Sequence, residues 1–170
     1  MRIALTGTHW VGKTTLLKLF SIPKITEVAR EIIAELWNPK DMNDEQKKHF
    51  QRIMFWRQVQ RERRLKSFIA DRSLFDILAY TRAIWDMDLY EELKLRALEH
   101  HKTYPYDIVF YIPIEFPLEQ DGVRYEWEEF RELIDKYILL ALEDLGIKPV
   151  ELRGNVEGRR LIINNYLKNA

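Results

Sequence analysis

The chain has 170 residues, 46% of them apolar and 32% charged, as expected for one soluble globular domain with a substantial core. It has no cysteine, which excludes disulfides, zinc–thiolate sites and cysteine nucleophiles. Its net charge is zero but splits into +7 over residues 1–70 and −7 over residues 71–170: a basic N-terminal half suits polyphosphate, and the balanced total argues against a dedicated nucleic-acid binder.

The start, MRIALTGTHW, is too short and too polar for a signal peptide, and no apolar run approaches a membrane span. A cytoplasmic protein with no membrane partner is expected. Arg2 to Thr6 reads as a short buried strand, Gly7 to Gly12 as a loop, and Lys13 to Phe20 as a helix. Lys24 to Glu27 reads as a second strand, followed by a helix over Val28 to Trp37 that Asn38-Pro39 breaks. Asn43 or Asp44 caps a long helix reaching about Lys66, in which Phe50, Ile53, Met54 and Trp56 recur at helical spacing. Ser67 to Asp71 reads as a strand ending in a carboxylate, and helices are expected at about 74–86 and 88–102. Asp107 to Ile112 is the clearest strand, apolar and β-branched. An irregular stretch, Pro113 to Tyr125, precedes a helix over Glu126 to Leu145 that stops at Gly146. Lys148 to Leu152 and Val156 to Lys168 complete the chain as a strand and a helix. Alternating strands and helices imply an α/β fold, a parallel sheet covered on both faces. The absence of repeats and linkers implies a single domain, 1–170, with a small lid region at about 113–131.

Gly7-Thr8-His9-Trp10-Val11-Gly12-Lys13-Thr14 fits the P-loop pattern G-x-x-x-x-G-K-[ST], between a strand and a helix as that pattern requires. The glycines let backbone N–H groups turn inward around phosphate, and the helix start adds its positive end. Lys13 is placed to reach the β- and γ-phosphates, and the Thr14 hydroxyl to ligate Mg²⁺; Thr15 follows at the same helix start. His9 and Trp10 fill variable positions, and Trp10 is expected to pack against the fold. The other histidines form no ligand spacing with His9.

Phe68 to Ser73 (FIADRS) puts Asp71 where a P-loop protein holds Mg²⁺, with Arg72 beside it to clamp an acceptor or phosphate. The alternative is that Asp71 or Ser73 caps the helix from Leu74. Glu27, ahead of Arg30, stands at the carboxyl end of a strand, where it addresses an acceptor hydroxyl, or is a first-turn Glu favoured by the helix dipole. Arg124, in Asp121-Gly122-Val123-Arg124, is placed to neutralise charge in transfer, with Arg131 a second candidate; the alternative is a turn with a solvated arginine. Arg57, Arg61 and Arg64 share a helical stripe, read as a solvated face ahead of a site for acidic substrate or RNA. Tyr104, Tyr106, Tyr111 and Trp127 are expected to pack rather than stack on bases.

In order, GTHWVGKTT, EVAR, ADRS and DGVR resemble the P-loop nucleoside and nucleotide kinases over nearly the whole chain. The sequence is most similar to the AAA-type ATPase-like family that includes the nicotinamide riboside kinase domain of bacterial NAD-salvage regulators. Leu152 to Arg159 resembles the loop that contacts the base in that family. The resemblance implies a five-stranded parallel sheet, ATP or GTP with Mg²⁺, and phosphate and metal roles for Lys13 and Thr14. It implies a place near metal or acceptor for Asp71, in the acceptor pocket for Glu27, on a lid for Arg124, and near the base for Arg153 and Asn155. Two departures stand out. Phe116-Pro117-Leu118-Glu119-Gln120 replaces a Pro-Trp segment, and Asp71 stands where deoxynucleoside kinases tend to have Glu. The expected function is transfer of a γ-phosphate to a small nucleoside, nucleotide or ribosyl acceptor. A regulatory nucleotide-binding NTPase and a polynucleotide 5′-kinase are the alternatives.

Overall fold

The computed structural model describes residues 1–35, 42–84, 86–115 and 125–168. Five strands, β1 (Arg2–Thr6), β2 (Lys24–Ile25), β3 (Phe68–Asp71), β4 (Ile108–Tyr111) and β5 (Val150–Glu151), form one sheet in the order β2-β3-β1-β4-β5. Every pairing is parallel. The helices are α1 (Lys13–Leu17), α2 (Val28–Glu35), α3 (Asp44–Arg64), α4 (Leu74–Ala83), α5 (Met87–Thr103), α6 (Tyr125–Asp144) and α7 (Val156–Lys168).

Strand side chains alternate between two buried layers. Ile3 and Leu5 of β1, Ile69 of β3, and Ile108 and Phe110 of β4 pack with Leu16 and Leu17 of α1 and Ile163 of α7. Ala4, Phe68, Ala70, Val109 and Tyr111 belong to a larger cluster shared with α2 to α6. Burial on both faces is why these strands read as apolar runs instead of an apolar–polar alternation.

Local chemistry sets the helix ends. Asn43 and Gln46 form a reciprocal capping box on α3, Ser73 and Asp76 form one on α4, and the Asp86 side chain caps α5. Gly146, at φ 69°, takes the left-handed turn that ends α6. Several expected elements are shorter than the sequence suggests. After Leu17 the chain tightens into i+3 turns, so α1 stops before Phe20. β2 and β5, the outer strands, pair on one side only and keep two residues each. Trp37, Asn38 and Pro39 lie outside the described residues.

Beneath the sheet a polar knot ties α3 to α5. The fully buried Glu62 carboxylate accepts from Gln58 Nε2 at 2.8 Å and Tyr106 OH at 2.5 Å, and meets His100 Nε2 at 2.9 Å. Arg2 donates to the Glu62 and Leu65 carbonyls, which fixes the end of α3 against the start of β1. At the opposite end of the sheet the register sets Leu5 beside Asp71 and Thr6 beside Tyr111. The loop leaving the central strand therefore emerges between two other strand ends, where open α/β sheets bind ligands.

Candidate active site

The loop from Gly7 to Gly12 has the backbone its glycines permit. Gly7 has φ 148° and Gly12 φ 93°, and a Cβ on Gly7 would stand 2.6 Å from the Ile112 carbonyl oxygen. Trp10 also takes a positive φ, 58°, unusual for a large side chain. Three buried side chains brace the loop from outside it. Asp76 accepts from Gly7 N at 3.3 Å and from Thr6 Oγ1 at 2.9 Å. Arg131 Nε donates to the His9 carbonyl at 3.2 Å, and Arg159 donates to the Val11 carbonyl at 2.7 Å. Within the loop, Lys13 Nζ donates to the carbonyls of Gly7 (2.6 Å) and Thr8 (2.5 Å).

Ser73, not Asp71, caps α4, which leaves Asp71 to accept from Thr14 Oγ1 at 3.0 Å. Burial raises the Asp71 carboxyl above its ordinary range, against the pull of Lys13 and the Thr14 hydrogen bond. Burial, helped by Arg72, pushes Lys13 down to about 7, against Asp76, Asp71 and Glu27. Glu27 accepts from Arg72 Nε at 2.7 Å and from Arg30 Nε at 2.7 Å. Burial opposes its ionisation, but Arg72, Arg30 and Lys13 outweigh that and hold the carboxyl below its usual range. Arg72, at φ 75°, also donates to Tyr80 OH at 3.3 Å.

Two cavities meet here. One, about 420 Å³, is lined by His9 to Thr15, Glu27, Arg30, Asp71 and Arg72. The other, about 340 Å³, is mainly apolar, walled by Ile33, Met42, Phe50, Met54, Ile77 and Phe130 with Gln51, Gln58 and Tyr80 among them. Glu27 and Arg72 line both. The oxygens of Thr14 and Asp71 suit Mg²⁺, which takes one or two protein oxygens and completes its shell with phosphates and water. Among the described residues no group of three or more His, Cys, Asp or Glu is placed to hold a metal.

The fold thus gathers Lys13, Thr14, Glu27, Arg30, Asp71, Arg72 and Arg131 in one place. Arg124 lies outside the described residues, as do residues 116–124 of the expected lid; α6 supplies its remainder from Tyr125. Arg153 is exposed and pairs with Glu151, and the Asn155 side chain accepts from Gly158 N at the start of α7. Trp10 departs from expectation: it is 63% exposed, set edge-on against His9 at the phosphate-loop cavity, because its backbone conformation holds it out of both apolar layers. Arg61 of the basic stripe is tied to Glu31 of α2. Tyr106 and Tyr111 are buried and pack as expected. Sequence reasoning missed Asp76, Arg159 and Glu115. Glu115 bonds Arg159 and the Gly154 N–H, joining the loop before α7 to the phosphate loop. Ser73-x-x-Asp76 is a capping-box pattern and was a usable signal for Asp76; Arg159 and Glu115 carry none.

A family model described as an AAA domain matches residues 2–159. A solved structure of NadR protein in complex with NR has a TM-score of 0.75 at 22% identity, over 98% of this chain and 50% of that chain. NadR protein in complex with NAD and AMP-PNP has a TM-score of 0.75 at 19% identity, over 98% and 48%. Deoxyadenosine kinase from M. mycoides, with products dCMP and dCDP bound, has 0.62 at 17%, over all of both chains. The chain spans about half the length of the NadR chains, and at these identities the likenesses establish the fold. Comparison with curated proteins gives no match. No helix among the described residues is long and apolar enough to cross a membrane.

Proposed function

The chain belongs to the AAA domain family, and on that premise we propose that it is a phosphotransferase, using ATP or GTP with Mg²⁺ to phosphorylate a small nucleoside, nucleotide or ribosyl compound. The observation that carries this reading is the junction of the two cavities at Glu27 and Arg72. One cavity is wrapped by the phosphate-loop pattern; the other is an apolar slot suited to a flat base, with Gln51 and Gln58 to address its edge. A hydrolase needs only the first. Relatives whose solved forms carry NR, AMP-PNP or deoxynucleotides support the same choice of ligand class.

Phosphoryl transfer asks for positioning and charge neutralisation more than covalent chemistry. Lys13 exchanges its two loop carbonyls for β- and γ-phosphate oxygens, with the loop residues Gly7 to Thr15 around them. Thr14 and Asp71 would hold Mg²⁺, which would supply positive charge against that of the phosphates. Glu27, kept ionised by its arginines, accepts the hydrogen bond of the acceptor hydroxyl and orients that oxygen. Arg30 and Arg72, which line the phosphate-loop cavity, supply positive charge around the transferring group, Arg131 supports it from behind the loop through the His9 carbonyl, and Arg124, outside the described residues, is the further cation the sequence offers. Arg153 and Asn155 address the base of the triphosphate, not that of the acceptor.

The test is transfer of labelled γ-phosphate from ATP and GTP with Mg²⁺ to nucleosides, nucleoside monophosphates, nicotinamide riboside and 5′-hydroxyl oligonucleotides. Label is expected on one small acceptor, with Lys13→Ala lowering kcat by about 10²–10³. Label on oligonucleotide alone, or only as free phosphate, overturns the reading.

A further inference from the structure

The apolar slot is lined by two amides of α3, Gln51 and Gln58, and their hydrogen-bond polarity bears on what it accepts. The oxygen and nitrogen of an amide are told apart by their partners. Gln58 stands one turn before Glu62, and its Nε2 donates to Glu62 Oε1 at 2.8 Å. That direction is forced, because a carboxylate only accepts. Tyr106 OH donates to the same oxygen, and Arg2 Nη2 lies 3.8 Å from the other. Gln58 Oε1 has no donor among the described residues. It is not one of the buried atoms left without a partner, so it opens on the slot that Gln58 lines. Gln51 is not fixed in this way. It meets Thr81 Oγ1 at 3.4 Å, but the single Thr81 proton goes to the Ile77 carbonyl at 2.8 Å, so either end of the Gln51 amide is able to face the slot.

Charge narrows the choice further. Among the described residues that wall the slot, the acids are Glu27 and Asp76 and the cations are Lys47 and Arg72. Both acids are already engaged. Asp76 is fully buried and accepts from Thr6, Gly7 and twice from Ser73. Glu27 is held between Arg72 and Arg30, each at 2.7 Å. Its oxygens keep lone pairs for a neutral hydroxyl, but its charge is compensated. The face of Tyr80 is taken as well, with the Arg72 guanidinium 5.2 Å from the ring centroid. A cationic ring seated here would be a buried charge without a counter-ion, which is costly; an uncharged base meets apolar walls and one fixed acceptor.

We propose that the slot takes the uncharged base of a nucleoside, turned so that a base N–H donates to Gln58 Oε1, and that it excludes a cationic ring. Gln58 is the specificity residue, and Glu62, which sets the direction of its amide, is the positioning residue. This rests on the phosphotransferase reading above and narrows its acceptor. A ribosyl compound with a pyridinium base is ruled out by its charge, whatever its shape.

The first test uses the wild type, so no variant has to fold. Calorimetry compares each parent nucleoside with an analogue that lacks a base N–H: adenosine with purine riboside, cytidine with pyrimidin-2-one riboside, uridine with N3-methyluridine, and guanosine with inosine and N1-methylguanosine. Nicotinamide riboside is the cationic probe. At least one parent should bind, with an analogue of it bound roughly tenfold to a hundredfold more weakly, as an acceptor left unpaired requires. Nicotinamide riboside should bind no better than that analogue. Gln58→Met keeps the length of the side chain without its oxygen and should bring parent and analogue within about threefold of each other. Glu62→Gln lets the Gln58 amide turn and should shrink the same ratio; a general loss of packing would weaken both ligands alike and leave the ratio unchanged. Equal affinities for every parent and its analogues, no nucleoside bound, or nicotinamide riboside bound more tightly than any uncharged nucleoside would overturn the proposal. Transfer of labelled γ-phosphate separates it from the reading it rests on. Preferred transfer to nicotinamide riboside overturns the slot assignment and keeps the phosphotransferase. Binding that depends on the base N–H, with transfer to no acceptor, does the reverse.

Discussion

Replacing Asp76 with Asn should weaken the whole domain through one atom. The Asp76 side chain is fully buried and receives four donors: Thr6 Oγ1 (2.9 Å), Ser73 N (2.8 Å) and Ser73 Oγ (2.9 Å) on Oδ2, and Gly7 N (3.3 Å) on Oδ1. An amide has one oxygen. Set at the Oδ2 position it keeps three donors and turns its NH₂ against the Gly7 N–H; flipped, it confronts the shorter Ser73 contact instead. The first is less costly. Leaving a buried N–H unpaired costs about 1–3 kcal/mol, and the three remaining bonds lose their charge assistance, so Asp76→Asn should cost about 3 kcal/mol. At a urea m-value of about 2 kcal/mol/M, the unfolding midpoint falls by about 1.5 M. Asp71→Asn, whose amide oxygen can still accept the single bond from Thr14 and which removes a carboxyl that burial disfavours in its charged form, is the control and should lower stability by less than about 1 kcal/mol. The assay is equilibrium urea unfolding followed by far-UV circular dichroism. Equal midpoints for Asp76→Asn and wild type would show that Asp76 does not hold β1 and the loop to α4.

The free protein keeps Lys13 near 7, well below an ordinary lysine, and polyphosphate favours its charged form. Nucleotide binding at pH 8 should therefore take up close to one proton, and affinity should fall as pH rises above 7, by at most about tenfold per unit; calorimetry in buffers of different ionisation enthalpy reads the uptake, and Lys13→Met should abolish it. Gly7→Ala forces a Cβ to 2.6 Å from a backbone carbonyl at φ 148°, so it should destabilise the fold by about 2 kcal/mol or more and eliminate nucleotide binding; unfolding midpoint and calorimetric titration check both. Gly158→Ala, in the first turn of α7, meets nothing closer than 3.5 Å and should stabilise by up to about 1 kcal/mol in the same unfolding assay.

What the sequence made legible was local. Gly7, Gly12, Lys13 and Thr14 stand close together, so their spacing already encodes their geometry, and β1 and α1 lie on either side as expected. Asp71 was legible as a strand-end carboxylate, though only the Ser73 cap decides that its oxygens face Thr14 instead of a helix end. Glu27 was legible by its place after β2 with Arg30 three residues on, but its pairing with Arg72 was not, because that contact spans 45 residues of chain. Arg159 reaches the loop across 148 residues, and no pattern of period 2 or 3.6 marks such a residue. Trp10 was misread because an aromatic normally goes inward, whereas here a strained backbone fixes its direction first.

The long-range contacts fix the shape of the loop. A trans peptide is planar, so a carbonyl fixed on one side sends the next residue's N–H to the other. Arg131 fixes the His9 carbonyl and Arg159 the Val11 carbonyl, which settles the N–H directions of Trp10 and Gly12. Asp76 settles Gly7 directly. Each of these three residues comes from a helix packed against the sheet, α6, α7 and α4, so the loop inherits the rigidity of both layers. Burying two arginines for this is expensive unless each is paired, and each is: Arg131 with Glu128 at 3.2 Å, Arg159 with Glu115 at 2.7 Å. Donors aimed before the ligand arrives lose little freedom when it binds, and that is the condition under which backbone N–H groups stabilise the charge of a phosphoryl group in transfer.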